Sequence, residues 1–266
     1  MIAAVHLALL AWLVAAGVMT LLWLLHLPMR NAAIVDFGWG FLLPTIAILY
    51  AFLATGYAPR RWLIAGMAAV WGYRLAFYLL FTRIIGHPEE GRYMELRESW
   101  KTNLPLKFFV FFQAQAVLDV MLSAPFLLAA LDARPILSWT DYSGAVIWAV
   151  AFAGESTADA QLNAFKSNSA NKAKTCRVGL WKYSRHPNYF FEWLIWVAYA
   201  LYAIAAPWGW LALASPALML FFLFRVTGIP ATEAHALRSR GEEYRRYQET
   251  TSAFFPWFPK KQGAAH

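Results

Sequence analysis

The sequence is poor in charged residues and in cysteine, and each shortage excludes a class of protein. Only 14% of the 266 residues are charged, whereas soluble domains average about 25%. The one cysteine, Cys176, excludes an internal disulfide, and the six histidines are scattered without the spacing of a metal site. We therefore expect neither a disulfide-stabilised secreted domain nor a metal centre.

Long apolar runs occupy most of the chain instead. Hydrophobic residues make up 60% of the sequence and aromatic residues 17%. A helix needs about 20 mostly apolar residues to cross a bilayer. Runs of this kind are Ile2–Leu27, Ala33–Leu53, Trp62–Phe81, Phe108–Leu131, Tyr142–Ala164, Tyr189–Ala205 and Trp208–Phe224. We therefore predict an all-α, polytopic membrane protein with seven transmembrane helices, built as a single domain over residues 1–266.

Positive charge is distributed unevenly among the connections between these spans. Most of the 23 lysines and arginines lie in the first, third and fifth connections and in the tail, whereas the second and fourth hold Arg60, Arg61 and Arg134. The positive-inside rule therefore predicts an outside N-terminus and a cytoplasmic C-terminus. The net charge of +8 also suits contact with anionic lipid. Nucleic acid is not expected as a partner, because the cations do not line one soluble face.

Several ionisable side chains fall inside the predicted spans, where each costs roughly 2.5–3.5 kcal/mol to insert. Asp36 begins the second span in "VDFGWG". It is either a carboxylate at the helix end facing interfacial water or part of a site. Asp119 lies in the middle of the fourth span, four residues after Gln115, so the two share a helix face. This spacing favours a structural contact with a neighbouring helix, although the role of Asp119 stays open.

Two polar stripes run along the fifth and sixth spans. The residues of the first recur at spacings of four, four and three, and those of the second recur every four. They are Glu155, Asp159, Asn163 and Lys166 in the fifth span, and Asn188, Glu192 and Trp196 in the sixth. A polar stripe on an otherwise apolar helix indicates a wet or ligand-filled cleft.

The basic connection between the two stripes has the composition of an anion site. Pro187 suits the first turn of a helix, so we expect the sixth helix to begin there with its free N–H groups directed back toward Arg185. Lys166 and Lys174 are among the lysines nearby. A ligand carrying several phosphates fits this composition. Basic residues that only mark a cytoplasmic border would explain the lysines, but not Asn188.

These residues carry a family resemblance. The segment "GLWKYSRHPNYFFEW" with the preceding polar stripe and the tail "GIPATEAHALRSRGEEYRRYQETTSAFFPWFPKK" resembles the membrane steroid 5α-reductase family, particularly its bacterial seven-span homologues. The resemblance covers nearly the whole chain. Sterol reductases and isoprenylcysteine or phospholipid methyltransferases carry signatures similar to Arg-His-Pro-Asn-Tyr, and the wider context favours the reductases.

The resemblance implies reduction of a carbon–carbon double bond conjugated to a ketone, as in a 3-oxo-Δ4 steroid, with hydride from NADPH. It implies that cofactor contacts come from the fifth and sixth spans and their connection. With the polar stripe and the nearby lysine included, the expected cofactor residues are Glu155, Asp159, Lys166, Lys174, Tyr183, Arg185, His186, Asn188, Glu192 and Trp196.

The resemblance also implies a ketone site. Asp36 falls near the family's second-span glutamate, which helps to hold the substrate ketone. The partner tyrosine of the third span aligns with Trp71, and the nearest phenol is Tyr73 in "WGYRL". We therefore expect Asp36 and Tyr73 to be catalytic, and Asp36, Trp71 and Tyr73 to bind substrate. The tail departs from the animal enzymes at "ATEAHAL", where Glu233 replaces an expected cation or imidazole.

Two other functions remain open. One is an S-adenosylmethionine-dependent membrane methyltransferase, although that cofactor has no phosphate to match the basic connection. The other is a non-catalytic sterol- or lipid-binding membrane protein, or a transporter. We further expect an amphipathic cytoplasmic helix over Ala231–Glu249 that closes the cofactor cleft or serves only as an anchor. The sequence leaves the natural substrate, the proton donor and the oligomeric state open, a monomer included.

Overall fold

The computed structural model describes residues 2–89, 91–172, 174–226 and 228–260, and within these residues the chain is helical with no β-strand. Lys261, which the quoted tail includes, lies outside them. The α-helices are α1 (Ile2–Met29), α2 (Ile34–Leu53), α3 (Ala58–Leu79), α4 (Gly91–Trp100), α5 (Leu104–Leu122), α6 (Ala124–Leu131), α7 (Trp139–Ser167), α8 (Pro187–Ala203), α9 (Ala214–Phe221), α10 (Ile229–Arg240) and α11 (Glu242–Thr250). The all-α prediction is therefore confirmed for the described chain.

Five helical segments of the described chain are long and apolar enough to cross a membrane, which supports an integral membrane protein. They are Ile2–Met29, Ile34–Leu53, Ala58–Ile84, Leu104–Leu131 and Gly209–Arg240. The seven predicted spans are thus not all confirmed. The predicted fifth span forms α7, whose apolar run is interrupted by the polar stripe. The sixth forms α8, which has 17 residues and a length of about 25 Å, short of a bilayer core of about 30 Å.

Proline marks the start of several helices. It lies in the first turn of α3, α5, α6, α8 and α10, as Pro59, Pro105, Pro125, Pro187 and Pro230. The missing proline N–H costs little there, because the first turn has no intrahelical acceptor for it. The predicted start of the sixth helix at Pro187 is confirmed.

The prediction of one continuous helix over Ala231–Glu249 is wrong. The segment forms two helices, α10 and α11, which are separated at Gly241. Gly241 has φ of 54° and ψ of −127°, a conformation open to glycine and strained for other residues. Tyr244 and Tyr247 of α11 are buried, whereas Arg245 and Arg246 are exposed. The amphipathic pattern is therefore clearest in α11.

The described chain forms two compact units. The first contains residues up to Tyr142 together with Ala200–Ser215, and the second contains Ser143–Tyr199 and the chain from Pro216. In the first unit α2 and α3 approach closely at two glycines. A Cβ on Gly72 would lie 2.7 Å from Pro44 Cδ, and a Cβ on Gly40 would lie 3.2 Å from the backbone nitrogen of Ala76. Glycine therefore allows these two helices to pack backbone against backbone.

A buried ion cluster joins the start of α3 to the connection between α6 and α7 and to the first turn of α7, also within the first unit. Arg60 is 1% exposed, and its Nε donates to Asp141 Oδ1 at 2.9 Å. Its Nη1 lies 3.4 Å from Asp132 Oδ2 and donates to the carbonyl of Arg134 at 2.9 Å. Asp141 Oδ2 also accepts from the backbone N–H of Ser138 at 2.6 Å. From the sequence pattern, Arg60 is only one of the charges in the second connection.

In the second unit α7 packs against α8 and against the connection that precedes it. A Cβ on Gly154 would lie 2.4 Å from the Phe191 ring, so this glycine admits the aromatic side chain. Trp181 Nε1 donates to the carbonyl of Ala158 at 2.9 Å. The backbone N–H of Leu180 donates to Gln161 Oε1 at 2.8 Å. These contacts fix the basic connection along the same helix that carries the first polar stripe.

Candidate functional site

The two polar stripes meet where α7 faces the first turn of α8. Asn188 Nδ2 donates to Asp159 Oδ1 at 3.5 Å, a long contact at the limit of a hydrogen bond. Asp159 and Glu155 are buried, with 8% and 3% of their surfaces exposed. A buried carboxylate needs hydrogen-bond donors or a cation. The face therefore brings two buried carboxylates and the amide of Asn188 close together.

The other residues of the stripes differ in exposure. Glu192 is half-buried and Trp196 is fully buried on α8. Lys166 is exposed near the end of α7, and so is Lys174 in the connection that follows. The stripe on α7 thus passes from buried carboxylates to an exposed cation. This gradient suits a ligand with hydroxyl or amide donors at one end and phosphates at the other.

Tyr183 lies in the connection before α8 and is tied to the tail. Its carbonyl accepts from the backbone N–H of Trp257 at 2.9 Å, and its ring contacts Phe258 edge to face at 5.9 Å between centroids. The ring also lies 5.9 Å from Lys182 Nζ. Tyr183 therefore stands beside a cation of the basic connection, with its backbone fixed by the C-terminal segment.

Arg185 and His186 contact a residue whose role the sequence left open. Arg185 Nε donates to Glu233 Oε1 at 2.7 Å, and His186 Nε2 lies 3.2 Å from the same oxygen. Arg185 Nη1 also donates to the carbonyls of Gln248 and Thr251, at 2.9 and 2.7 Å. The presence of an acidic residue where a cation was expected was the sequence signal for this contact.

The carboxylate of Asp36 accepts hydrogen bonds from residues that the sequence analysis did not select. Tyr93 Oη donates to Asp36 Oδ1 at 2.8 Å, and Arg92 Nη2 donates to the same oxygen at 2.9 Å. Arg92 Nη2 also donates to Tyr93 Oη. Both residues belong to α4, which follows the third span. The sequence shows a cation beside a phenol at Arg92-Tyr93 in "GRYMELRESW". Because this pair is far from Asp36 along the chain, the sequence alone did not indicate that they are in contact.

Tyr73 and Trp71, expected at the ketone site, have other contacts in the structure. Tyr73 Oη lies 3.2 Å from Thr45 Oγ1. Trp71 is fully buried, and its ring packs against Trp39 at 6.0 Å between centroids. The phenol hydrogen-bonded to Asp36 is therefore that of Tyr93, whereas the phenol of Tyr73 contacts Thr45.

Burial first, and then the charge of Asp36, raise the pKa of Tyr93 well above its usual value. The phenol therefore keeps its proton at neutral pH. A neutral phenol is a hydrogen-bond donor, whereas the carboxylate beside it accepts only. The cluster of Asp36, Arg92 and Tyr93 consequently contains both a stable donor and a cation that balances the carboxylate.

Asp119 is fully buried in α5, and neither carboxylate oxygen has a hydrogen-bond partner in the described chain. The structure therefore shows no hydrogen bond from this side chain to a neighbouring helix within the described residues. Among all the residues that the structure describes, no group of three or more His, Cys, Asp and Glu residues is arranged to hold a metal ion.

Comparison with known proteins gives one family and one distant relative. The chain is 26% identical over 270 residues to an uncharacterized protein of Schizosaccharomyces pombe, a match that covers 88% of this chain and 75% of that protein. No solved structure matches the chain. The model of the family described as "Protein of unknown function (DUF1295)" matches residues 22–251. The chain therefore belongs to this family, a group of membrane proteins similar to steroid 5α-reductases.

Proposed function

We propose that the protein reduces the carbon–carbon double bond of an α,β-unsaturated ketone, with NADPH as the hydride donor. The substrate class is a flat apolar enone such as a 3-oxo-Δ4 steroid. The observation that carries the proposal is the face of α7 and α8, where buried carboxylates and Asn188 lead to exposed lysines. Membership of a family similar to steroid 5α-reductases supports the same assignment.

The residues of this face fit the chemistry of a phosphorylated dinucleotide. Lys166 and Lys174 are exposed cations suited to phosphates, whereas Glu155 and Asp159 are acceptors suited to hydroxyl and amide N–H groups. S-adenosylmethionine is a cation without phosphate, so it would use the carboxylates but not the lysines. When bound, NADPH supplies the hydride that is added to the β-carbon of the enone.

The cluster around Asp36 fits recognition of the ketone. Addition of hydride to the β-carbon places negative charge on the carbonyl oxygen, and a fixed donor at that oxygen stabilises the charge. Without substrate the single O–H of Tyr93 donates to Asp36, which holds the phenol in place. When the ketone binds, this O–H would turn to the carbonyl oxygen, and the guanidinium of Arg92 stabilises the resulting enolate oxygen electrostatically. A proton from solvent or a side chain then reaches the α-carbon, which completes the saturated ketone.

The finer topology belongs to the same proposal. α7 and α8 would add two spans to the five apolar segments, since a polar helix face can be buried against protein or a wet cleft. The N-terminus would then lie outside, and the basic connection and the C-terminus would be cytoplasmic.

Incubation of the purified protein with NADPH and an enone panel tests the function directly. We expect the saturated ketone from at least one steroid or polyprenoid enone, and a higher kcat/KM with NADPH than with NADH. The preference is expected because Lys166 offers a charge-assisted contact to the additional 2′-phosphate.

Thermal stabilisation by the cofactor separates this function from the alternatives. A ligand that binds only the folded protein raises the melting temperature. NADPH should do so, and S-adenosylmethionine should not. A shift with S-adenosylmethionine alone would support a methyltransferase, and a shift with sterol but neither cofactor would support a binding protein. Equal kcat/KM with NADH and NADPH would contradict the role of Lys166.

Substitution of Asn188 or Glu192 by alanine is expected to abolish reduction while the protein stays folded. Both side chains belong to the polar stripe of α8 rather than to its apolar packing, so their loss should remove ligand contacts. Steady-state turnover and the melting temperature should be measured together. Tyr189→Phe is the matched control, because Tyr189 Oη lies 3.3 Å from Thr232 Oγ1 in α10; it should keep turnover. Normal activity of Asn188→Ala or Glu192→Ala would show that the polar stripe of α8 is not part of the site.

A further inference from the structure

The signature residues Ser184, Arg185 and His186 all bind the C-terminal segment. This segment consists of α10, α11 and residues 251–260. The backbone N–H of Arg185 donates to the carbonyl of Ser252 at 2.9 Å, and Ser184 Oγ donates to the carbonyl of Phe254 at 2.8 Å. Together with the side-chain contacts of Arg185 and His186, these bonds hold the start of α8 against the tail.

Glu233 is the centre of this interface. Its Oε1 accepts from Arg185 and contacts His186, and its Oε2 accepts from Gln248 Nε2 at 2.8 Å. One carboxylate of α10 therefore links two signature residues to α11. The side chains of Arg185 and Glu233 are 10% and 15% exposed. Loss of one member of so enclosed a pair would leave a poorly hydrated charge.

A second set of contacts fixes α11 to the basic connection. The backbone N–H of Thr175 donates to Glu243 Oε1 at 3.1 Å, and Arg177 Nη2 donates to the Glu243 carbonyl at 2.7 Å. Tyr247 Oη donates to the carbonyl of Ser184 at 3.1 Å. The helix pair of α10 and α11 is therefore bound at both ends of the connection that precedes α8.

We infer that Glu233 is a positioning residue, which uses Arg185 and His186 to dock the C-terminal helix pair and thereby to fix the first turn of α8. Arg185 has three acceptors in the C-terminal segment, so its guanidinium serves docking rather than direct contact with a phosphate. Asn188 follows in that first turn. The inference rests on the proposed function only where it predicts cofactor binding; the docking itself is independent of any ligand.

Amide hydrogen exchange in Glu233→Gln tests the docking without any enzymatic assay. Glutamine keeps the size of the side chain but removes the charge, which weakens both charge-assisted contacts. We expect exchange over residues 229–250 to be roughly 10–100-fold faster, the ratio that corresponds to the loss of a hydrogen bond to a charged group. Glu249→Gln, at an exposed position of α11, is the matched control and should leave exchange unchanged.

Arg185→Lys provides a second variant in case Glu233→Gln does not fold. Lysine keeps the charge but lacks the planar fork that reaches Glu233 and two carbonyls together, so exchange over 229–250 should again increase. Unchanged exchange in either folded variant would overturn the positioning role.

Kinetics of Glu233→Gln then test the link to the cofactor. We expect KM for NADPH to rise at least about tenfold with a smaller change in kcat, because a displaced first turn of α8 weakens binding before it alters chemistry. Faster exchange with an unchanged KM would overturn the link to cofactor binding. If the wild type reduces no enone while the exchange result holds, the proposed function fails and the docking role stands.

Discussion

Asp36→Asn is expected to lower kcat by about 10²–10³-fold, the usual cost of losing one donor at a reacting oxygen, with NADPH affinity unchanged. Asparagine still caps and hydrates a helix end, so a purely interfacial role predicts an almost silent change. In the proposed site the carboxylate orients the Tyr93 phenol and balances Arg92. An uncharged amide would weaken both contacts, and the phenol would no longer be held for the ketone.

The pair Tyr93→Phe and Tyr73→Phe makes this experiment specific. The two substitutions remove the same phenol O–H, but only that of Tyr93 contacts Asp36. Tyr93→Phe should therefore reduce kcat about as much as Asp36→Asn, and Tyr73→Phe should reduce it less. The melting temperature of each variant without ligand controls for a loss of packing by α4. Normal turnover in Asp36→Asn would show that Asp36 has only a structural role, and the group that donates the proton would then be unidentified.

Arg60→Met is expected to destabilise the folded protein by about 3–5 kcal/mol, the usual cost of removing one partner from a buried ion pair. Methionine fills similar space but leaves the carboxylate of Asp141, which is fully buried, without the cation that it faces. The melting temperature of the purified protein should fall by on the order of 10 °C. Tryptophan fluorescence on heating would measure the shift.

Arg134→Met is the control for this substitution. Arg134 Nε donates to Asp132 Oδ2 at 3.0 Å, but its side chain is 40% exposed, and exposed pairs contribute about 0–1 kcal/mol. A loss of stability in Arg134→Met equal to that in Arg60→Met would show that burial of Arg60 is not the deciding factor.

The same cluster should respond to acid. Burial alone would raise the pKa of Asp132, but hydrogen bonds from Arg134 and the charge of Arg60 outweigh it and hold the pKa below 3.8. A carboxyl whose folded pKa is lowered stabilises the fold above its unfolded pKa, and that contribution is lost as the pH falls through the folded pKa. The contribution of Asp132 should therefore be complete above about pH 4 and decline below it.

Local sequence pattern located the long apolar helices and the polar face of α7 and α8, but not α4 or the break at Gly241. Hydropathy located the apolar segments because a bilayer requires runs of a certain length, and Pro187 marked the start of α8 because proline tolerates few helix positions. The stripes of Asp159 and Asn188 could be recognised because helical periodicity places every fourth residue on one face. Hydropathy was less informative for α7, since its polar stripe interrupts the apolar run.

The partners of the charged residues were decided only by the tertiary structure. Asp36 binds Tyr93, 57 positions away, and Arg185 binds Glu233, 48 positions away. Helical periodicity relates residues within one element, whereas these contacts depend on how separate helices and connections pack. Burial also decides the strength of a charge pair, and the exposure of Arg60 or Arg134 follows from the folded packing. The sequence by itself thus determined which residues are polar and which face they share, and the fold determined which of them meet.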